Sequence, residues 1–453
     1  MSESIHRYLE RDAEPEAALG DVIEGSFGHA IEVPAYAETD SLFETLASVP
    51  AGPRGDVLVV VVLNARADSP EEVHEANRLA RERIAAAAPE TVVSKTPDVR
   101  LYDHSRGRLL TIDRAVPGQY LPAGQGIGLA RKIGCDLVLR LYAAGRLASP
   151  WIHATDADVR LPNDYFEQIG NVNSDAASAV LYSFEHRFPQ DEDLGRAGRL
   201  HEISLRYMTL GLAWAGSPYA YEILGSCLAI PPWAYAEVGG FPCRNSLEDF
   251  AILNDLAKIG AIERLAGPPI ELAGRISTRV PISTGQTLAK LVGKKGSGTG
   301  FELHHPIVFA HLAAWLRVLG AIARRRGDLE APLRELPRGS PFFRADLLEE
   351  ALGEMGAFEA VREAVAQPGD EQTILRRLHA GFDAFQTRKL LDLLRDAGFP
   401  SLDFREALSE APFTGLTAST EDSLETLRFL LAEEEKKLSV VPAGIPALEL
   451  DRA

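Results

Sequence analysis

Residues 151–162 read WIHATDADVRLP: an apolar run, then Asp156 and Asp158 with one alanine between them. Carboxylates at i and i+2 of an extended segment point the same way, so they repel unless something positive lies between them. The apolar run predicts a buried strand, and in open α/β sheets ligands collect beyond the carboxyl ends of strands. A hard divalent cation, Mg2+ or Mn2+, takes oxygen ligands there and holds a diphosphate on its open positions. The pair alone also fits an ordinary strand-end turn, so its neighbours decide the reading.

Working outward, Val57–Leu63 is a continuous apolar run, the mark of a strand covered on both faces. Before it, HAIEVPAYAETD gives a strand, a proline-led loop and a helix from Asp40 or Ser41. After it, Ser69 is the expected N-cap of a long helix, with Pro70 at its first position and Glu72 at the capping-box position. A glycine-rich loop, GQGIG, leads into another helix, then WIHAT and SAVLYSF read as strands. Strand–helix alternation predicts an α/β fold with a mostly parallel, Rossmann-like sheet. Residues 1–24 read as a tail or loose helix, and 25–300 as the sheet domain. Residues 301–453 read as an α-helical C-terminal domain, since amphipathic helices between Gly/Pro breaks dominate from there.

The 453-residue chain is 46% hydrophobic and carries a net charge of −18, which argues against a nucleic-acid partner. An acidic protein that handles a phosphorylated ligand needs local cations, either a metal or a few placed arginines. Cys135, Cys227 and Cys243 form no CxxC pair, which fits a reducing compartment. The acidic N-terminus lacks the apolar core of a signal peptide, so a cytoplasmic location is expected. The apolar stretch 307–323 contains His311 and Arg317 and shows helical spacing, as a core helix would. An interfacial helix ending in Arg324, Arg325 and Arg326 is the alternative, which leaves a peripheral membrane contact open.

Three blocks resemble the family 2 glycosyltransferases of the GT-A fold over about residues 30–265. VPAYAETDSLFETLASV looks like that family's opening strand and loop. GIGLARKIGCDLVLRLYAAGRLASPWIHATDADV looks like its G-x-x-x-A-R-N-x-G helix running into D-A-D. GSCLAIPPWAYAEVGGFPCRNSLEDF looks like its acceptor-side segment, with G-G-F and then an acidic E-D opening a helix. The resemblance implies a metal-dependent transferase, a hexosyltransferase, that moves a sugar from a nucleotide-diphosphate sugar to a small-molecule or glycan acceptor. It implies that Pro34, Tyr36 and Glu38 touch the nucleoside, and that Asp156 contacts the ribose. Asp158, with Asp156, would hold the metal, and Glu248 or Asp249 would face the acceptor, Asp249 as base. Arg131 would steer toward the diphosphate or pin the D-A-D loop. Two positions depart from the pattern: Asn64 stands where the family carries a base-reading acidic stretch, and Lys132 replaces the asparagine of the A-R-N element.

Beyond the three blocks, GRISTRVPISTGQ places Arg275 and Arg279 with Ser283, Thr284 and Gly285 in a cationic, hydroxyl-rich loop suited to a phosphate clamp. Such loops resemble those of the glucosyl- and mannosyl-glycerate synthase-type transferases. His304 or its neighbour His305 would then supply a third metal ligand. Three other readings compete. HATDADVRL also fits the first motif of haloacid-dehalogenase-type phosphatases, but no paired acidic motif follows it. GQGIG lacks the third glycine of a dinucleotide fingerprint, because Leu129 occupies that place. A non-catalytic nucleotide-sugar-binding protein of the same fold would be expected to lose Asp158 or the Glu248–Asp249 pair, and all three are present. Whether the protein is a homo-oligomer stays open.

Overall fold

The computed structural model describes residues 3–95, 98–188, 191–277, 284–293, 300–325, 329–338, 343–416, 422–438 and 440–441. The chain divides into two units: Met1–Leu194 with Ile223–Ala289, and Gly195–Glu222 with Lys290–Ala453. The division is therefore not the single boundary near residue 300 that the change in sequence texture suggests. A segment from the middle of the chain joins the C-terminal helices.

The first unit begins with α1 (Glu3–Arg11), β1 (His29–Ala35), α2 (Asp40–Ser48), β2 (Val57–Asn64) and α3 (Glu71–Ala87). A β-meander comes next, β3 (Glu90–Lys95), β4 (Asp98–His104) and β5 (Gly107–Arg114), and then α4 (Ile127–Ala143). After α4 come β6 (Ile152–Ala154), β7 (Val159–Arg160), α5 (Tyr165–Gln168), β8 (Ala177–Leu181) and β9 (Phe184–Arg187). The long α6 (Glu192–Trp214) carries the chain into the second unit. The chain returns with β10 (Leu228–Ile230), α7 (Pro232–Glu237), α8 (Glu248–Ile259), β11 (Ala261–Arg264) and β12 (Ile270–Ala273).

Within this unit the main sheet runs β11-β8-β10-β6-β1-β2-β5-β4-β3. Its centre is parallel, with β1 between β2 and β6 and β5 beyond β2. β10 runs against both of its neighbours, and β4 runs against β3 and β5. Every residue of β1 and β2 is buried, as their apolar runs require. A second, small sheet, β7-β12-β9, stands just past the end of β6.

Helix α4 packs on β1, β2 and β6. Gly134 makes the approach possible, because a Cβ there would lie 2.4 Å from Glu32 Cγ. Gly128, in the first turn, meets the chain beyond α7. A Cβ there would lie 2.2 Å from the Pro242 carbonyl oxygen, and the Gly128 N–H donates to Arg244 O. Gly239 and Gly240 form the preceding turn at φ 82° and 74°, a left-handed pair that β-carbons oppose. The glycines of two separate sequence blocks thus serve one junction.

The amino-terminal residues are not a tail. Ile5, Tyr8, Ala17 and Ile23 are buried, and α1 packs on α4 and α7. The Tyr8 hydroxyl donates to Asp136 Oδ1 at 2.6 Å, and Lys132 Nζ reaches Asp136 Oδ2 at 2.8 Å and the Asp12 carbonyl at 2.8 Å. Lys132, the departure from the A-R-N pattern, therefore ties the N-terminal segment to α4. Ser69 does not cap α3. Its Oγ accepts the Arg66 N–H at 3.1 Å and lies 3.2 Å from the Tyr36 hydroxyl, and the helix starts two residues later.

The second unit adds α9 (Thr284–Gly293), which spans its boundary, then α10 (Ile307–Arg325), α11 (Glu330–Arg334) and α12 (Ala345–Glu354). Beyond these are α13 (Ala357–Ala366), α14 (Glu371–Gly381) and α15 (Ala384–Ala397). α10 is long and apolar enough by composition to cross a membrane, yet two thirds of its most apolar window (67%) is buried in the protein. It packs against α14 and α15 and shares a core with Leu200, Ile203, Tyr207 and Leu210 of α6. Gly211 of α6 admits the Phe309 ring, which a Cβ would meet at 2.6 Å.

Candidate functional site

Because β1, β2 and β6 are parallel, their carboxyl ends lie along one edge of the sheet. Pro34 and Ala35 close β1 and lead to Tyr36 and Glu38, Asn64 ends β2, and Asp156 and Asp158 come after β6. The D-A-D turn is held from both sides. The Thr155 N–H donates to Glu32 O and its hydroxyl to Ser226 O, while the Ala273 N–H of β12 donates to Asp158 O. The Thr45 hydroxyl of α2 bonds both the N–H and the carbonyl of Val159.

Two arginines answer the repulsion between the aspartates. Arg131, 1% exposed, bonds Asp156 Oδ1 directly. It also reaches Glu32 Oε2 and Glu248 Oε1, each at 3.4 Å, and the Thr155 carbonyl at 3.2 Å. Burial works against its charge, but Asp156, Glu32, Glu248 and Asp249 together hold the guanidinium above its usual pKa. Arg275, just past β12, donates through Nε to Asp158 Oδ2 at 2.8 Å and through Nη2 to Glu38. Glu38 also accepts the Ser41 hydroxyl.

The carboxylates carry the stress of this crowding. Burial pushes Glu32 up to about 8, against the pull of Arg131. Burial and then Asp249 raise Glu248 to about 7. Asp158 is raised to about 6 by burial, with Arg275 opposing and Asp156 adding to the rise. Asp249 is raised as well, mainly by burial. Its Oδ1 accepts the Phe250 N–H at 2.8 Å and its Oδ2 the Gly225 N–H at 3.2 Å. The pair opens α8, and the residue at the N-cap is Leu247 at φ 60° with no capping side chain. A bulky side chain in the left-handed region is strained, and such strain persists where the surroundings fix it.

Expected residues differ in where they fall. Arg131 joins Asp156 and Glu248, Arg275 joins Asp158 and Glu38, and Asp249, next to Glu248, accepts the backbone N–H groups of Gly225 and Phe250. Asn64 lies on the same edge, but its amide nitrogen donates to the carbonyls of Ala35 and Val62. Arg279 and Ser283 lie outside the described residues. His304 belongs to the second unit, where its Nε2 is 3.4 Å from Asp392 Oδ1 and its carbonyl accepts the Tyr207 hydroxyl. Among the described residues no group of three or more His, Cys, Asp or Glu side chains is arranged to hold a metal. Sequence reasoning misses Glu32. Its signal is a single carboxylate inside the apolar run HAIEVPA, and its partner Arg131 lies far along the chain.

No family model and no curated protein matches the chain. Among solved structures it is similar to the mannosyltransferase PcManGT from Pyrobaculum calidifontis in complex with GDP-Man and Mn2+. That likeness is at 16% identity and TM-score 0.31, over 87% of this chain and 92% of that one. It is also similar to TarS 1–349 of S. aureus at 12% identity and TM-score 0.32, over 82% of this chain and 91% of that one.

Proposed function

We propose that the first unit is a GT-A-type glycosyltransferase that moves a hexose from a nucleoside diphosphate sugar to an acceptor hydroxyl, with a divalent cation. The observation that supports it most is the convergence, on one carboxyl edge of a parallel sheet, of Asp156, Asp158, Glu38 and the Glu248–Asp249 pair with Arg131 and Arg275. Open α/β sheets bind ligands at that edge.

The donor set fits a hard cation. Asp156 and Asp158 offer carboxylate oxygens from one turn, and the Arg275 guanidinium already stands against Asp158 as a stand-in positive charge. Mg2+-like ions are held by one or two carboxylates plus substrate phosphates, so a third protein ligand is not required. When bound, the cation supplies charge for the leaving diphosphate. The protein's own groups do the rest. Arg131 pins Asp156 in place, and the loop after Pro34 receives the nucleoside. Arg275 provides a guanidinium fork for phosphate oxygens. For an inverting transfer, Asp249 accepts the acceptor hydroxyl's proton as the anomeric bond breaks, and its raised pKa suits a base.

Calorimetry of UDP and GDP binding, with Mn2+ and with EDTA, tests this. Binding is expected only with metal and is expected to vanish in Asp158→Asn while the melting temperature holds. Equal binding in EDTA would remove the metal from the reading, and no nucleotide binding under either condition would remove the reading itself.

A further inference from the structure

The Arg275 guanidinium does more than sit near the site. Its Nε and Nη2 lie 2.8 and 2.7 Å from the same oxygen, Asp158 Oδ2, and Nη2 also bonds Glu38. The backbone beneath it is built for this. The Arg275 N–H donates to Ala273 O, the Gly274 N–H donates to Arg187 O, and the Ala273 N–H donates back to Asp158 O. A Cβ at Gly274 would lie 2.3 Å from the Phe188 ring, so the chain runs close to β9 at the residue before Arg275. The small sheet β7-β12-β9 thus fixes the base of the arginine and the turn carrying Asp158 to one another.

A guanidinium and a divalent cation cannot both occupy Asp158 Oδ2 on the side facing Glu38. We propose that Arg275 is a resident counter-cation whose displacement is coupled to metal entry. The metal takes Asp158 Oδ2 only as the guanidinium leaves it, and the freed fork turns to a donor phosphate. The inference rests on the reading of Asp158 as a metal ligand. It makes metal binding weak alone and strong with a nucleoside diphosphate, because the phosphate gives the released arginine a new partner.

Mn2+ binding to the full chain, followed by electron paramagnetic resonance without and with GDP or UDP, tests the coupling. Arg275→Gln is expected to bind Mn2+ alone about tenfold tighter than the unaltered protein, since no charge-assisted hydrogen bond must be broken. The gain in Mn2+ affinity on adding nucleotide is expected to shrink in that variant. Arg275→Lys keeps the charge without the fork and is expected to fall between the two. Unchanged or weaker Mn2+ binding in both variants, with Asp158→Asn having lost it, would overturn the coupling alone. Full Mn2+ binding by Asp158→Asn would overturn the metal-ligand reading and the coupling with it.

Discussion

Replacing Arg131 by methionine removes the buried cation that Glu32, Asp156 and Glu248 share. Breaking a buried pair by deleting one partner costs about 3–5 kcal/mol, because the charge left behind is uncompensated. Here the cost depends on pH. Glu32 is raised to about 8 and Glu248 to about 7 even with Arg131 beside them, and without it both rise further. An acid whose folded pKa exceeds its unfolded value contributes stability that is present at low pH. That contribution is lost as pH climbs from the unfolded value, about 4.3, through the folded one. At pH 5.5 both glutamates are protonated in the variant, and their share of the loss reduces to hydrogen bonds of roughly 1–2 kcal/mol, while the loss of Asp156's partner is common to both pH values. At pH 8.5 the full penalty applies, which at ~2–4 °C per kcal/mol lowers the melting temperature by roughly 6–20 °C. The assay is differential scanning fluorimetry of both proteins at the two pH values. Adding Glu32→Gln to the variant is expected to restore part of the loss at pH 8.5, because one unpaired carboxylate is gone. Equal losses at the two pH values, or no rescue by the second change, would refute the shared-cation account.

Two further expectations concern chemistry and architecture. Asp249→Asn keeps the shape and, through its single amide oxygen, one of the two bonds from the N–H groups of Gly225 and Phe250, and kcat is expected to fall by about 10²–10⁴ with donor binding intact. A near-normal kcat against the true acceptor would shift the base to Glu248 or point to a retaining mechanism. A chain ending at Gly300 removes α10 and the helices beyond it, leaving Ile203, Tyr207 and Leu210 of α6 without their core. It is expected to aggregate, read by light scattering, whereas a soluble and active product would contradict that packing.

The chemistry-bearing strand ends are legible in the sequence because apolar runs of fixed length expose their termini to one edge. Val57–Leu63 and the Asp156–Asp158 turn belong to that class. Glu32 is hidden because a buried carboxylate is explained only by its partner, and Arg131 lies 99 residues away. The small sheet is hidden because β7 has two residues and β9 and β12 have four each, too few for a period of two to register. Arg275 is visible as a cation, but its attachment to Asp158 is a tertiary fact. The membership of α6 is unreadable for another reason. An amphipathic stripe reports that a helix is covered, not which segment covers it. Lys132 reads in the sequence only as a departure from the resembled A-R-N pattern, and its use, four residues before Asp136, emerges only with Tyr8 in place beside both.

The interleaving of the two units bears on how the protein is made. Gly195–Glu222 leaves the ribosome well before the helices from Ile307 that share its core. At about 5–20 residues per second, the apolar face of α6 waits on the order of ten seconds for its partners. The first unit is likewise unfinished until Ile223–Ala289 has emerged, because β10 must slot between β6 and β8. Neither unit can therefore be completed before its later segment has emerged, and α6 lacks its core partners through that interval. Transiently exposed apolar surface of this kind is prone to aggregation, a hazard that belongs to the interval of synthesis and not to the finished fold.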